Sequence, residues 1–232
     1  MTTFDLVDIY LFNCVSTKYK KFSNSSKCCS MVEEMNDVRS LYESGASIKD
    51  VLTNCVCDRH GHQYCISDDA VKDAVEKLMD GKCTIGGMTT TPFIDANNKF
   101  VQFDDFEELY HFVKNTIGSI TGIGPLTVYD TAKRIGHLLK EPVYPSQYVY
   151  LSAGAARGAK ELLGYSPLFR EPTSKFTPFF GTFPSIFIED ILCIFEDELK
   201  RGTAGLDKMH KSTAIKTATG ALNKKDKKNS II

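Results

Sequence analysis

The stretch ITGIGPLTVYDTAKRIG, residues 120–136, decides the fold. Gly122 and Gly124 bracket one isoleucine, and Pro125 follows them directly. Glycine permits backbone angles that are closed to other residues and lets another backbone approach closely. Proline is favoured in the first turn of a helix. The pattern therefore predicts a tight chain reversal that leads straight into a helix.

Segments with helical periodicity flank this reversal on both sides. Asp104 and Glu107 stand at the spacing of a capping box, which predicts the start of a helix there. Apolar residues recur at intervals of three and four in both segments, so we expect two amphipathic helices joined by residues 121–124 into an antiparallel-like pair. The apolar positions are Phe106, Leu109, Tyr110, Val113 and Ile117 before the glycines, and Leu126, Tyr129, Ala132, Ile135 and Leu139 after them.

Helices are predicted over most of the remaining chain. Ser47 and Ser67 are placed to cap the helices that follow them, because a serine oxygen can accept a hydrogen bond from a first-turn amide. Residues 89–103 are typical of a β-hairpin that turns at Asp95–Asn98. The sequence thus predicts a mainly α fold with a small β-hairpin. The further helices are expected over residues 4–19, 31–43, 48–52, 68–80, 155–163 and 185–199.

Two helical regions and a basic end make up the predicted domain organisation. Residues 1–88 form an N-terminal helical region. Residues 89–200 contain the glycine hairpin and are expected to pack with the first region into one combined domain. Residues 201–232 have no apolar periodicity and are predicted to be a basic, flexible tail.

Charge is distributed unevenly along the chain. The formal net charge is −1, yet residues 200–232 contain nine Lys or Arg and two Asp, a balance of +7, so the first 199 residues carry −8. A basic tail of this kind either binds polyanions nonspecifically or remains a solvated end. The acidic remainder argues against a surface that attracts DNA, since such surfaces need local positive charge.

Composition excludes several protein classes. Hydrophobic residues at 42% and charged residues at 25% are ordinary for a globular protein. No apolar run approaches the ~20 residues that span a bilayer, so no membrane association is expected. Acidic residues stand near the N-terminus where a secretory signal would carry Lys or Arg, which favours a cytoplasmic location. Eight cysteines in that compartment do not indicate a disulfide framework.

Residues 106–139 resemble the helix-hairpin-helix motif of DNA repair and recombination proteins. In that superfamily an apolar-Gly-apolar-Gly hairpin grips a nucleic-acid backbone without reading its sequence. The amides around Gly124 would point outward at a helix N-terminus, where phosphate binds readily. The resemblance implies a non-sequence-specific DNA-binding protein, with a role in repair, recombination or defence. The expected phosphate-binding residues are Gly122, Ile123, Gly124, Leu126, Thr127, Lys133, Arg134 and Arg157.

Whether the cations of that set can contact phosphate depends on where the fold places each of them. Lys133, Arg134 and Lys140 would supply local positive charge, despite the net charge of −8 on residues 1–199, if they shared an exposed face with the hairpin amides. Arg157 follows a second glycine-rich segment, Ser152–Gly154, at another expected helix N-terminus. That segment either contacts a second phosphate or lets two helices pack closely, and its glycines and alanines favour packing.

The resemblance does not extend to the chemistry of DNA glycosylases. The bifunctional members place a catalytic lysine just after the second hairpin glycine, where this chain has Pro125 and Leu126. They also need an aspartate beyond the second helix, where the nearest acid is Glu141. Asp130 is expected to be an exposed helical acid. We therefore expect no lyase activity and no cofactor.

The segment NCVCDRHGHQYC, residues 54–65, is a second place where chemistry could occur. Zinc accepts Cys and His ligands, but structural sites usually have two separated ligand pairs, and only Cys83 and His111 follow here. The favoured interpretation is a polar turn without metal. An acid–base role for Asp58, His60 and His62 gives an alternative function, an enzyme acting on a nucleotide or nucleic acid. The potential metal ligands in the segment are Cys55, Cys57, His60, His62 and Cys65.

A phenylalanine-rich stretch, residues 169–183, leads into the last predicted helix. Its rings could stack on bases, but such a loop more often wraps and seals the core, which is the favoured interpretation. A third functional alternative is a helical protein–protein interaction module whose hairpin serves only packing.

Overall fold

A computed structural model describes Tyr10 and residues 31–57, 66–85 and 89–200. The chain divides into two compact units. The hairpin unit is Glu34–Tyr144, and the C-terminal unit comprises residues 1–33 and 145–232. The boundary that the sequence suggested, between residues 88 and 89, falls inside the hairpin unit. The predicted helix 4–19 (apart from Tyr10), the segment 58–65 and the basic tail 201–232 lie outside the described residues.

The chain is mainly α-helical with small antiparallel two-stranded sheets, as the sequence predicts. No helix in the part of the chain that the structure describes is long and apolar enough to cross a membrane. The described helices of the hairpin unit are α1 (Met31–Glu43), α2 (Ile48–Val56), α3 (Asp68–Met79), α4 (Phe106–Ile117) and α5 (Pro125–Leu138). The first three residues of α1 belong to the C-terminal unit.

Serine caps begin α2 and α3 at the predicted positions. The Ser47 hydroxyl oxygen accepts from the Asp50 amide at 3.2 Å, and the Ser67 hydroxyl oxygen accepts from the Ala70 amide at 3.3 Å. These caps were predictable because each involves residues only three positions apart. The α2 helix runs four residues beyond the predicted end at Leu52, since Val56 and the residues before it are buried.

The cap of α4 lies one residue later than predicted. Asp105 rather than Asp104 is the N-cap, and its Oδ1 accepts from the Glu108 amide at 2.8 Å. Glu108 in turn accepts from the Asp104 amide at 3.4 Å. The sequence offers two overlapping capping boxes, and the burial of Phe106 selects the second, because that register turns this ring into the core.

The predicted β-hairpin is only half correct. The turn at Asp95–Asn98 forms, and Asn98 has a positive φ of 57°. One β-bridge pairs Ile94, before the turn, with Phe100, after it. However, the strand β2 (Thr89–Pro92) pairs antiparallel with β1 (Lys82–Ile85), not with the arm that follows the turn. That arm instead turns inward, because Phe103 is buried in an aromatic cluster with Phe93 and Phe112.

The α5 helix is the centre of the hairpin unit. All of its residues from Thr127 to Leu138 are buried. It packs against α4 on one side and α2 on another. The sequence predicts an amphipathic helix with one solvent face here, so the enclosure of this helix is a correction that bears directly on the candidate site.

The C-terminal unit is built on a close contact between two helices. A Cβ at Gly158 would collide with the Leu192 carbonyl oxygen, and a Cβ at Gly154 would lie 2.6 Å from the Cys193 Sγ. These glycines therefore serve packing, the interpretation that the sequence favoured. The elements of this unit are β3 (Tyr148–Tyr150), α6 (Ala153–Leu163), β4 (Arg170–Pro172), α7 (Thr177–Phe180), α8 (Ser185–Ile194) and α9 (Glu196–Lys200).

The last predicted helix, residues 185–199, is interrupted at Phe195. Its backbone there leaves the helical region, at φ −101° and ψ 25°, and the ring is buried. The phenylalanine-rich stretch before α8 also turns inward, since Phe176, Phe180 and Phe183 are almost fully buried. Those three rings seal the core and do not offer stacking surfaces.

Candidate nucleic-acid interface

The hairpin between α4 and α5 is made of two successive turns. The Ile120 amide donates to the Ile117 carbonyl at 3.1 Å, and the Ile123 amide donates to the Ile120 carbonyl at 3.0 Å. Ile120 and Ile123 are both buried. These two side chains pin the turns to the helices, which leaves the glycine backbone on the outside.

The two hairpin glycines have different structural roles. Gly122 has a φ of +92°, a conformation that L side chains rarely adopt, so the turn itself requires glycine there. Gly124 has a φ of −92° and a ψ of 172°, which any residue can adopt, and a Cβ at this position would meet nothing within 4 Å. The fold does not need glycine at position 124. Glycine at this position has no side chain that could cap the start of α5.

Among the residues that the structure describes, no side chain caps the N-terminus of α5. Gly124 is its N-cap and no acidic residue lies in its first turn. The first intrahelical hydrogen bond is donated by the Val128 amide to the Gly124 carbonyl at 3.1 Å, so the amides of Leu126 and Thr127 precede it. By contrast, α2, α3 and α4 each have a capping side chain and at least one acidic residue in the first turn. These residues are Ser47 and Asp50 for α2, Ser67, Asp68 and Asp69 for α3, and Asp105, Glu107 and Glu108 for α4.

Lys133 and Arg134 do not share an exposed face with the hairpin amides. They are only 5% and 1% exposed, so the prediction that they contact phosphate is wrong. The physical reason is the central position of α5. Neighbouring elements cover the face that an amphipathic helix would expose to solvent. Lys140 is exposed, but it lies beyond the opposite end of α5, which rises ~21 Å from Gly124 to Leu138.

An ion pair within α5 accounts for Lys133. Its ammonium lies 3.0 Å from the Asp130 carboxylate and 5.2 Å from the centre of the Tyr129 ring. Asp130 is itself 7% exposed, so the expectation of an exposed helical acid is also wrong. Burial of both charges is tolerated because they neutralise each other.

Arg134 connects α5 to two other helices. Its guanidinium forms an ion pair with Glu34 of α1 and donates to the Cys55 carbonyl of α2 at 2.8 Å. Burial raises the pKa of the Cys55 thiol to about 12. A thiol held neutral in this way is a poor metal ligand, since zinc binds the thiolate.

The C-terminal end of α5 is held by a chain of hydrogen bonds. Arg39 donates from Nε to Nε2 of His137 at 3.1 Å and also to the His137 carbonyl. The neutral imidazole therefore carries its proton on Nδ1 and donates to the Tyr144 hydroxyl at 2.7 Å. Burial, together with the Arg39 charge, lowers the pKa of His137 to about 3, and burial raises the pKa of Tyr144 to about 12. Sequence reasoning missed this network, because Arg39 and His137 are 98 positions apart.

Charges of both signs lie near the hairpin. Lys114 is an exposed cation in the last turn of α4, and its carbonyl accepts from the Gly118 amide at 2.9 Å. On the other side, a Cβ at Gly122 would lie 3.7 Å from that of Ala70, in the first turn of α3 with its exposed acids Asp68 and Asp69. The hairpin backbone thus has elements on two sides that carry exposed charges of opposite sign, Lys114 in α4 and Asp68 and Asp69 in α3.

Arg157 lies in the C-terminal unit and is engaged by protein groups. Its Nε is 2.5 Å from the Glu196 carboxylate, although the side chain remains 56% exposed. At the start of the same helix, the Ser152 hydroxyl lies 3.5 Å from the carboxylate of Glu189, which is 7% exposed. A carboxylate at this helix N-terminus occupies the place where the sequence suggested a second phosphate.

The remaining catalytic and metal candidates are mostly not placed. Asp58, His60, His62 and Cys65 lie outside the described residues. Among the residues that are described, no group of three or more Cys, His, Asp or Glu could hold a metal ion. Glu141 is exposed, and its amide donates to the Gln102 side-chain carbonyl at 3.0 Å.

A corner with the same backbone hydrogen bonds occurs in the C-terminal unit. The Phe183 amide donates to the Phe180 carbonyl at 3.2 Å and the Ile188 amide to the Pro184 carbonyl at 3.1 Å, as Ile123 and Val128 do in the hairpin. There, however, Pro184 is the N-cap and Ser185 after it is 2% exposed. The helix start at that corner is therefore buried, unlike the half-buried Gly124.

No protein-family model, curated protein sequence or solved structure matches this chain. The resemblance of residues 106–139 to the helix-hairpin-helix motif therefore stays a prediction from the sequence.

Proposed function

We propose that the hairpin binds the sugar–phosphate backbone of a nucleic acid without reading its base sequence. The amides of Gly124, Leu126 and Thr127 are the donors. The observation that carries this proposal is the start of α5, where no side chain in the described part of the chain caps the helix and a Cβ on Gly124 would meet nothing within 4 Å. A helix N-terminus combines unpaired amide donors with the positive end of the helix dipole, which suits an anion.

The binding mode is through backbone donors more than through side chains. Gly122 allows the turn, and the buried Ile123 fixes it. Lys114 is an exposed cation in the last turn of α4, while the exposed carboxylates of Asp68 and Asp69 repel a polyanion. Affinity is therefore expected to fall in the weak range typical of nonspecific binding, ~10⁻⁴ to 10⁻⁶ M at physiological salt. The basic residues of 201–232 add sequence-independent attraction through counterion release.

Replacing Gly124 tests the proposal without damaging the fold. Asp is a good N-cap, so Gly124→Asp should leave the free energy of unfolding unchanged or raise it by about 0.5 kcal/mol. At the same time its carboxylate occupies the phosphate position. We expect Gly124→Asp to weaken binding to DNA or RNA by at least about tenfold, equivalent to ~1.4 kcal/mol of binding free energy, as measured by fluorescence anisotropy.

Gly124→Asn is the matched control. Asn caps the helix as Asp does and has nearly the same shape, but it carries no charge. It should retain most of the binding that the Asp variant loses. Equal affinities of wild type and Gly124→Asp would place nucleic-acid binding elsewhere on the molecule.

A further inference from the structure

The strand β1 pairs with β2 along one edge, and its other edge is open. The Phe93 amide donates to the Gly81 carbonyl at 2.8 Å, which fixes Gly81 and Phe93 as a hydrogen-bonded pair just before β1. In an antiparallel sheet such pairs alternate with pairs that are not hydrogen-bonded. The register therefore places Lys82 and Thr84 in the second kind of pair. Their backbone N–H and C=O groups consequently point away from β2.

The two edges of this small sheet differ in how they are protected. Pro92 lies on the outer edge of β2, where it has no N–H to donate. Proteins place proline on sheet edges to prevent pairing with another chain. On the β1 side, Lys82 and Thr84 are exposed, and no other backbone group among the described residues bonds to their outward groups. The sheet is thus protected on the β2 side and open on the β1 side.

An open groove of about 700 Å³ lies between the open edge of β1 and the helix α4. Three successive residues of β1, 82–84, line the groove, whereas none of the described residues of β2 does. The groove therefore follows the edge of the sheet and not one of its faces. A Cβ at Gly81 would lie 2.9 Å from the Phe112 ring, so α4 contacts the chain where β1 begins. The far wall of the groove is the side of α4 from Asp105 to Thr116.

The dimensions of the groove match those of one extended strand. From Asp105 to Thr116 the wall rises ~16 Å, which equals the length of about five residues of strand. The volume divided by this length gives a mean cross-section of ~42 Å². A strand in a packed sheet takes up ~4.8 Å by ~10 Å, or about 48 Å². The groove thus has room for a single strand, but not for a strand that brings its own hairpin, as β1 and β2 of a second copy would.

Two charged side chains of the groove have no ion-pair partner within the part of the chain that the structure describes. Lys82 is exposed on β1, and Asp105 is exposed before α4, where its Oδ1 accepts from the uncharged Glu108 amide. A lysine on an edge strand opposes indiscriminate pairing, so a strand with a carboxylate opposite Lys82 is favoured. A basic side chain complements Asp105. The half-buried Phe112 ring offers an apolar contact between them.

We propose that the open edge of β1 binds an extended segment of another protein, about five residues long, as a third strand. The segment bonds to the outward N–H and C=O groups of Lys82 and Thr84, and it carries one acidic, one basic and one apolar side chain for Lys82, Asp105 and Phe112. In this mode main-chain hydrogen bonds supply affinity and alternate side chains supply specificity. The interaction involves no nucleic acid, so it stands apart from the function proposed for the hairpin.

Peptide display tests the proposal with the full-length protein. Random heptapeptides displayed on phage are selected on the immobilised wild type, and the enriched sequences are synthesised with a fluorescent label. We expect enriched sequences that alternate in polarity and contain an acidic and a basic residue. Their binding is measured by fluorescence anisotropy. A selection that enriches no peptide would contradict the proposal.

Thr84→Pro and Thr90→Pro are matched variants that locate the bound peptide. The two residues lie opposite each other, with hydroxyl oxygens 3.3 Å apart, and neither N–H takes part in the pairing of β1 with β2. Each change removes one outward N–H and the same hydroxyl contact, but only Thr84→Pro does so at the groove. The peptides should bind Thr84→Pro at least about tenfold more weakly and Thr90→Pro within about twofold of wild type. Equal affinities of the two variants would overturn the proposal.

Amide hydrogen exchange of the wild type decides the question even if Thr84→Pro does not fold. A saturating peptide should slow exchange at the Lys82 and Thr84 amides at least about fivefold, because both become hydrogen-bonded. The Cys83 amide faces β2 in every state and should change less. Unchanged exchange at Lys82 and Thr84 would contradict the added strand.

Asp105→Asn tests the charge that the groove contributes. Asn caps a helix as Asp does, so the start of α4 is kept while the negative charge is removed. Peptides with a basic residue should bind this variant about threefold more weakly, as expected for one exposed ion pair. An unchanged affinity would refute the basic side chain assigned to the partner.

Discussion

At the scale of single residues, the buried pair of Arg134 and Glu34 has the largest structural consequence. The two residues are 100 positions apart in the sequence and both are less than 10% exposed. Arg134 also donates a hydrogen bond to the Cys55 carbonyl, so its guanidinium joins α5 to α1 and α2. Removing one partner of such a pair leaves an unneutralised charge in the interior.

We therefore expect Arg134→Ala to lower the free energy of unfolding by about 3 to 5 kcal/mol. Lys114→Ala, an exposed change of a similar kind, should alter it by less than about 0.5 kcal/mol. Urea unfolding followed by circular dichroism measures both. An Arg134→Ala protein as stable as wild type would show that this pair does not hold the helices together.

His137 gives the protein a defined response to acid. Its pKa is about 6.5 in the unfolded chain and about 3 in the folded protein, so its neutral form is favoured by folding. The stabilisation is fully present above pH 6.5 and is lost as the pH falls toward 3. Over that window the free energy of unfolding should decrease by up to about 1.4 kcal/mol per pH unit from this residue alone.

The control for this pH dependence is His137→Gln, which cannot titrate. Its stability should be lower than that of wild type at pH 7.5, because the hydrogen bonds with Arg39 and Tyr144 are altered. The difference between the two proteins should shrink as the pH falls from 6.5 to 4. Parallel stability curves for the two proteins would contradict a buried neutral imidazole.

At the scale of elements, the helix pair and its hairpin could be predicted from the sequence, because their signals are local. The serine caps, the proline at the start of α5 and the glycine reversal each involve neighbouring residues. The enclosure of α5 could not be predicted, since Glu34 and Arg39 come from α1, far away in the chain. The pairing of β2 with β1 was missed for a related reason, because the inward turn of Phe103 depends on an aromatic cluster and not on the strand pattern.

The two hairpin glycines should respond differently to alanine. Gly122→Ala forces a side chain into a φ of +92° and should cost about 1 to 2 kcal/mol of unfolding free energy. Gly124→Ala meets no atom within 4 Å and should stay within about 0.5 kcal/mol of wild type. The same unfolding experiment compares them. A larger loss at Gly124 than at Gly122 would mean that the described turn is wrong.

At the scale of the whole molecule, the acidic residues 1–199 are followed by a basic segment. The candidate site supplies oriented amide donors and little positive charge, whereas residues 201–232 carry +6, from eight Lys or Arg and two Asp. Amide donors position a phosphate, whereas cations attract it by releasing counterions, so we expect the two parts to contribute in different ways to the proposed binding.

Deleting residues 205–232 separates these contributions. At 0.15 M salt the thermal midpoint should stay unchanged, because the sequence of residues 205–232 offers no periodic apolar face that could pack on the fold. Nucleic-acid binding should become weaker and less dependent on salt. The slope of log K against log salt should become shallower by about one unit for each phosphate that the shortened protein no longer binds. A clear fall in the thermal midpoint would show that the segment supports the fold.

The most direct test of nucleic-acid binding is the salt dependence of wild-type affinity for several unrelated DNA and RNA sequences. We expect similar affinities for all of them and a linear decrease of log K with log salt, because phosphates and not bases are bound. Gly124→Asp should reduce every affinity in the same proportion. A folded protein that shows no salt-sensitive binding to either nucleic acid would contradict the proposed function, and the hairpin would then serve only as a corner between two helices.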